Sequence, residues 1–271
     1  MNSLKERLDV LLVGKGYFST REKAKRSIMA GVVFVNGVRA DKAGMRFDTE
    51  TDFEVRGNTC PYVSRGGLKL DKAVKEFGLN LKNRICMDIG ASTGGFTDCM
   101  LQNGAIRVYS VDVGYGQLNW KLRNDNRVVN IEKCNIRYMD MESIKDKIDF
   151  VGIDVSFISL KLIFPVAASL MTDEGRLVCL VKPQFEAGRE QVGKNGIVKD
   201  PQVHKDVMEK VVGFARENGL EPIDLTFSPI TGAKGNVEFL LYVGKNIGKT
   251  ENVRYNSKSI ERVVERSQLV L

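Results

Sequence analysis

Four charged residues in this 271-residue chain stand where apolar strands or helical stretches begin or end. Lys69 opens a helical stretch after Ser64-Arg65-Gly66-Gly67. Asp154 closes the apolar run Phe150-Val151-Gly152-Ile153. Lys182 closes Leu177-Val178-Cys179-Leu180-Val181 and precedes Pro183. Glu238 lies near the start of the last apolar run, Val237 to Val243. A charge held against a buried strand is costly unless another charge answers it. A lysine crowded by desolvation and a second cation has a lowered pKa, so it can take a proton or stabilise a developing alkoxide. The chemistry that suits such a set is activation of a poor hydroxyl nucleophile. Lys182 would activate it, Asp154 would orient that lysine, and Lys69 with Glu238 would complete the charge network. A structural ion-pair network, which also perturbs pKa values, is the competing reading. The single histidine, His204, lies in polar helical sequence, so the proton acceptor is sought elsewhere.

A glycine turn supplies a second feature. Asp88-Ile89 ends an apolar strand and runs into Gly90-Ala91-Ser92-Thr93-Gly94-Gly95-Phe96-Thr97. Glycines there let the backbone turn tightly and approach a ligand. The run lacks the GxxxxGK[ST] of a triphosphate loop and departs from the GxGxxG of a dinucleotide site. An acid ahead of the glycines, Asp88, suits a ligand that carries positive charge. S-adenosyl-L-methionine carries an ammonium and a sulfonium. Asp112 ends the next strand, where an acid accepts from ribose hydroxyls. Asn135, after the third strand, is placed to bond an adenine edge. Both have plain structural readings as turn residues. If a ribose 2′-hydroxyl is the acceptor, holding it in line with the methyl group is worth on the order of 7–11 kcal/mol in the best-oriented cases.

These residues need a scaffold that brings strand ends together. Strands are expected at Arg84–Ile89, Arg107–Val113, Val128–Ile131, Ile148–Val155, Arg176–Val181, Pro222–Phe227 and Asn236–Val243. Helical stretches fall at about Gly95–Asn103, Leu118–Arg123, Leu160–Met171 and Val203–Asn218. Such alternation predicts an α/β domain with a mainly parallel sheet, helices on both faces, and ligands at the carboxyl ends of the strands.

A smaller, basic module precedes it. Leu4, Leu8, Leu11 and Leu12 recur at helical spacing up to Gly14 and Gly16. Ser19 and Glu22 form a candidate capping box for a helix from about Thr20 to Ala30, ended by Gly31. Asn36-Gly37 between Val32–Val35 and Val38-Arg39 is a hairpin signal, and Asp52 to Arg56 a last strand. Arg7, Arg21, Lys25 and Arg26 belong to a basic excess on this module. Arg21 and Lys25 share a helix face suited to RNA phosphates. Gly57-Asn58-Thr59-Cys60-Pro61 is a turn-rich break, so the module is assigned residues 1–56 and the linker 57–64.

Composition bounds the rest. Lys plus Arg exceed Asp plus Glu, 41 to 34, for a net charge of +7, which favours polyanionic partners. No apolar run approaches the ~20 residues of a bilayer span, and the charged first residues do not read as a secretory signal. A cytoplasmic protein with no stable membrane association is the expectation. The five cysteines are scattered, with reduced core thiols expected at Cys86 and Cys179, and no metal site is expected.

Together, the front module with Arg7-Leu8-Asp9, Ser19-Thr20-Arg21 and Val33-Phe34-Val35-Asn36-Gly37 resembles the RNA-binding domain named after ribosomal small-subunit protein four. With Ser64–Gly67, Asp88–Thr97, Asp112–Leu118, Asp154–Ser159 and Val181–Glu186 added, nearly the whole chain resembles the TlyA ("hemolysin A" type) family. The resemblance implies a Rossmann-like class I methyltransferase sheet behind a small α+β N-terminal RNA-binding domain. It implies an FtsJ-like catalytic domain over 65–246, a basic C-terminal tail over 247–271, and S-adenosyl-L-methionine as cofactor. It implies transfer of methyl to a cytidine ribose 2′-hydroxyl of ribosomal RNA in the ribosomal subunits. The family's Lys-Asp-Lys-Glu tetrad falls on Lys69, Asp154, Lys182 and Glu238. Its cofactor site falls on Asp88, Gly90, Ser92, Gly94, Gly95, Phe96, Asp112 and Asn135. RNA contacts would fall on Arg7, Arg21, Lys25, Arg26 and Arg65. Some members carry Arg-Ala-Trp-Val between the domains, where this chain has Cys60-Pro61-Tyr62-Val63. A membrane-active hemolysin and a catalytically silent RNA-binding protein are the alternatives.

Overall fold

The computed structural model describes residues 5–18, 20–56, 60–248 and 252–270. The chain forms two units, Met1–Arg65 and Gly66–Leu271. In the first, β1 (Lys5–Arg7) leads into α1 (Leu8–Gly14), then α2 (Arg21–Met29), β2 (Val33–Val35), β3 (Val38–Arg39), β4 (Arg46–Asp48) and β5 (Phe53–Val55). The Asn36-Gly37 turn has both residues at positive φ, which closes the expected β2–β3 hairpin. Leu8, Leu11, Leu12, Ala24, Ile28, Val33 and Phe53 bury together as its core.

Two details differ from the sequence pattern. The helix expected from Leu4 starts only at Leu8; Lys5–Arg7 instead pairs antiparallel with Arg46–Asp48. Strands this short carry no readable alternation. The capping box falls partly on Ser19, which lies outside the described residues. The cap of α2 is Thr20, whose side chain accepts from Lys23 N at 3.3 Å.

The second unit runs α3 (Gly66–Phe77), β6 (Ile85–Ile89), α4 (Gly95–Gln102), β7 (Arg107–Val111), α5 (Trp120–Arg123), β8 (Val128–Ile131), β9 (Ile148–Ile153), α6 (Phe164–Leu170), β10 (Met171–Val181), α7 (Pro183–Glu186), α8 (Pro201–Glu217), β11 (Glu221–Phe227), β12 (Phe239–Gly244) and α9 (Ser259–Val270). The sheet order is β8-β7-β6-β9-β10-β12-β11. The β8, β7, β6, β9 and β10 neighbours pair parallel, whereas β12 is antiparallel to both β10 and β11. This is the expected Rossmann-like α/β sheet with one reversed strand. Cys86 and Cys179 are buried in it, as expected.

Boundaries moved where side chains serve the site. The β7 strand stops at Val111, which leaves Asp112 and Val113 in the following turn. The last strand begins at Phe239, so Asn236 and Glu238 precede it. Pro165 near the start of α6 splits the expected Leu160–Met171 helix, and Met171 joins β10 instead. The segment expected as a basic tail contains a helix. Residues 259–270 form α9, whose Ile260, Val263 and Val264 are buried in the main core against β11 and α8.

Candidate active site

Sheet direction explains why the four charges meet. The β9 and β10 strands run parallel, so Asp154 and Lys182, one residue past each, leave the same edge. The β12 strand is reversed, so that edge receives its start, and Glu238 stands one residue before it. Lys69 enters from the first turn of α3. Lys182 Nζ lies 2.6 Å from Asp154 Oδ1, Lys69 Nζ 3.3 Å from Asp154 Oδ2, and Lys69 Nζ 2.7 Å from Glu238 Oε2. Charge alternates along the chain Glu238–Lys69–Asp154–Lys182. Lys182 also donates to Ser156 Oγ at 3.0 Å.

Burial of this chain is deep: Lys69 and Lys182 are each 8% exposed and Glu238 2%. Burial alone would push the Lys69 ammonium down, but the carboxylates of Asp154 and Glu238 outweigh it and raise its pKa. The lowered lysine pKa expected from crowding therefore does not apply to Lys69. Burial would raise the Asp154 carboxyl, yet Lys69 and Lys182 hold it below the ordinary carboxylate range. His204 is buried in α8 with Nε2 3.1 Å from Val198 O.

A cleft of about 450 Å³ opens beside this chain, at the carboxyl ends of β6, β7 and β9. Its size lies within the usual range for ligand pockets. Of the residues expected there, Gly90, Ser92, Asp112 and Asn135 line it, and so does Asp154. Asp112 Oδ2 accepts from Ser92 N at 2.8 Å and Oδ1 from Gly114 N at 2.7 Å, which fixes the carboxylate at the rim. Asn135 Oδ1 accepts from Arg137 N at 3.1 Å, so its amide is held in one orientation. Gly90 has φ +88°, and a Cβ there would stand 2.5 Å from the Asp154 carbonyl oxygen. Only glycine lets the ligand turn sit this close to the strand that bears Asp154.

Four expected cofactor residues do not line the cleft. Asp88 is wholly buried, and its Oδ2 accepts from Thr97 N at 2.9 Å and Thr97 Oγ1 at 2.7 Å. It ties the glycine turn to α4 rather than facing a ligand, and burial pushes its carboxyl up to about 7. Gly94 stands at φ +94°, where a side chain is strained, and a Cβ there would also crowd the Leu122 and Leu118 side chains. Gly95 and Phe96 are buried in α4, with the Phe96 ring under Gly152. The pattern of glycines marks the turn without saying which of its atoms face outward.

Other cleft residues were missed. Gln117 accepts from Ser92 Oγ at 3.3 Å. Phe157 is 90% exposed, at φ +63°, with its ring centroid 4.8 Å from that of Phe185. An exposed aromatic in a left-handed conformation is uncommon, and it gives the cleft mouth a flat apolar face. Within an apolar sequence run it looks like core.

With the geometry in hand, the chain can be set beside known proteins. The family described as FtsJ-like methyltransferase matches residues 62–245, and the S4 domain matches residues 6–52. A Mycobacterium tuberculosis protein named 16S/23S rRNA (cytidine-2′-O)-methyltransferase TlyA is 40% identical, covering 96% of each chain. The chain belongs to the TlyA branch of the FtsJ-like methyltransferases. A Bacillus subtilis relative named "Putative rRNA methyltransferase YqxC" is 53% identical over 100% of this chain and 97% of that one. A solved structure titled "Putative hemolysin from Streptococcus thermophilus" is 49% identical, with a TM-score of 0.77, covering 98% of this chain and 96% of that one.

In the S4 domain of this TlyA-type chain, Arg7 and Arg21 converge on one buried carboxylate. Asp9, 0% exposed, lies 2.9 Å from Arg7 Nε and 2.9 Å from an Arg21 terminal nitrogen, while both arginines stay about half exposed. Arg7 and Arg21 hold Asp9 below the ordinary carboxylate range against the upward push of burial. Lys25 pairs with Glu22 at 3.0 Å, Arg26 is half-buried on α2, and Arg65 is exposed at the end of the first unit.

Proposed function

We propose that this chain transfers a methyl group from S-adenosyl-L-methionine to a cytidine ribose 2′-hydroxyl of ribosomal RNA. One observation carries the reading: a buried, alternating Lys–Asp–Lys–Glu chain ends with Lys182 beside a cleft at the strand ends. The names of its TlyA relatives agree with it. Gly90, Ser92, Asp112 and Asn135 would hold the cofactor, whose hydroxyls and adenine edge match a fixed carboxylate and a fixed amide. When bound, S-adenosyl-L-methionine supplies an electrophilic methyl group.

The protein's part is to prepare the nucleophile. Asp154 and Ser156 occupy two of the directions around Lys182 Nζ, which leaves another for the ribose 2′-oxygen. Lys182 would act as the free amine, its own ammonium proton having first left to solvent, and would accept the hydroxyl proton as the 2′-oxygen takes up the methyl group. Lys69, held charged between Asp154 and Glu238, keeps Asp154 ionised and in place. Phe157 offers a stacking face for the target base. The S4 domain, through Arg7 and Arg21 with Lys25, Arg26 and Arg65, would grip RNA phosphates in the ribosomal subunits.

Lys182→Ala should lower methyl transfer by about 10²–10⁴-fold while leaving cofactor affinity unchanged. Labelled methyl transfer to isolated 30S and 50S subunits, with mapping of the modified ribose, reads the first; calorimetry reads the second. Full activity in the variant would remove Lys182 from the mechanism. A membrane-active role finds no support here. No described helix is long and apolar enough to cross a membrane, and the apolar side of α9 is buried. A cytoplasmic location follows from the ribosomal substrate in this reading.

A further inference from the structure

A second groove, of about 620 Å³, lies in the methyltransferase unit between α3, β11 and the segment that leads into α9. Arg254, Arg262 and Arg266 reach it from the C-terminal side. Arg254 is answered within the protein, 2.7 Å from Asp224 Oδ2. Arg262 and Arg266 are exposed and form no ion pair among the described residues; Arg262 donates to Ser259 Oγ at 3.2 Å. Toward the tetrad, Lys72 Nζ sits 3.7 Å above the Phe227 ring centroid, with Arg266 Cζ 5.8 Å from the same ring.

Glu76 and Asp224 line the groove beside the arginines, and Glu76 Oε1 lies 3.6 Å from Lys72 Nζ. Burial pushes the Lys72 ammonium down, Glu76 offsets part of that, and Arg266 adds to the depression. Unlike Lys72 and Arg254, Arg262 and Arg266 have no carboxylate within ion-pair distance among the described residues, so an added anion would find its charge partners there. The groove takes Glu76 and Phe77 from the end of α3, the helix whose first turn carries Lys69. Lys72 lies one turn along α3 from Lys69, and Ser228, next after Phe227, donates its N–H to Glu238 O at 2.8 Å.

We infer that this groove is a phosphate track, in which Arg262 and Arg266 hold RNA backbone against the methyltransferase unit. The inference rests on the RNA reading of the site. A phosphodiester strand brings one negative charge per nucleotide, and guanidinium groups bind phosphate oxygens in pairs. The track places backbone contacts on the catalytic unit itself, beyond those of the S4 domain.

The test is charge reversal in the full chain, Arg262→Glu with Arg266→Glu, at exposed positions where folding is least disturbed. Binding to isolated ribosomal subunits is measured across a range of salt. The variant should bind about tenfold or more weakly, with a salt slope shallower by about two. Its melting temperature and its affinity for S-adenosyl-L-methionine should match the unmodified protein. A control, Lys145→Glu with Lys147→Glu, reverses two other exposed charges. Unchanged affinity and slope in the groove variant, or equal weakening by the control, overturns the track. If the unmodified chain itself fails to bind subunits, the RNA reading falls and the track with it. Binding by the unmodified chain alongside an unaffected groove variant removes the track alone.

Discussion

Lys69 is the residue on which the tetrad's charge balance turns, because it alone touches both carboxylates. Lys69→Ala would leave Glu238 and Asp154 buried without their shared cation. Removing one partner of a buried ion pair costs about 3–5 kcal/mol. A drop in melting temperature of several degrees should therefore accompany the loss of methyl transfer, whereas Lys182→Ala should cost less stability because Lys69 still answers Asp154. Equal melting temperatures for the two variants would contradict this ordering. Asp88 makes a second prediction, with a defined sign. Its folded pKa of about 7 lies above the unfolded value, so the folded state holds a proton that the unfolded state has released. Stability should fall as pH rises from about 4 to about 7, by up to about 1.4 kcal/mol per unit, and then level off. Asp88→Asn should flatten that window in urea denaturation series; an unchanged slope would refute it. Asp154 has the opposite sign and stabilises until acid protonates it. The tetrad was legible in sequence because each member is a charge set against an apolar strand or helix start. Asp88 was misplaced by the same logic: a carboxylate that faces inward to Thr97 reads, in one dimension, like one that faces a ligand.

Among the elements, the reversed β12 strand decides the site, since only its antiparallel course brings Glu238 to the edge where β9 and β10 end. Apolar runs located every strand of the large sheet, but they carry no direction, so they do not show that Glu238 reaches the edge that Lys69 enters. The short β1–β4 pair escaped the pattern because three residues a side show no alternation. The last helix shows the converse. Ile260, Val263 and Val264 recur at helical spacing, yet spacing does not say what covers them. It is covered by β11 and α8, and Val264 is 0% exposed. Val264→Asp would place a carboxylate in that core without a partner, a cost of several kcal/mol. Thermal melting should shift down sharply, and activity should fail with it at growth temperature. A Val264→Asp protein with native melting behaviour would mean that α9 is a dispensable appendage.

At the scale of the whole molecule, the proposed function divides the work between the two units: a basic S4 domain to hold RNA and a sheet to position a methyl group and a hydroxyl. The division was readable from the turn-rich break and from the charge excess ahead of it. The Asp9 carboxylate that gathers Arg7 and Arg21 was not, since a buried acid in a basic helix–hairpin module has no periodic signature. It sets two guanidinium groups side by side, each half exposed. Separated functions should fail separately. Arg21→Ala keeps Asp9 paired with Arg7, so the fold survives, but one phosphate contact is lost. The salt slope of subunit binding should fall by about one, and the loss should appear in KM for the ribosomal substrate. Neither kcat nor cofactor affinity should change, because the alternating lysine–carboxylate chain and the cleft beside it belong wholly to the second unit. A fall in kcat with an unaltered KM would mean that Arg21 acts on the chemistry after binding, and the separation of roles would have to be abandoned.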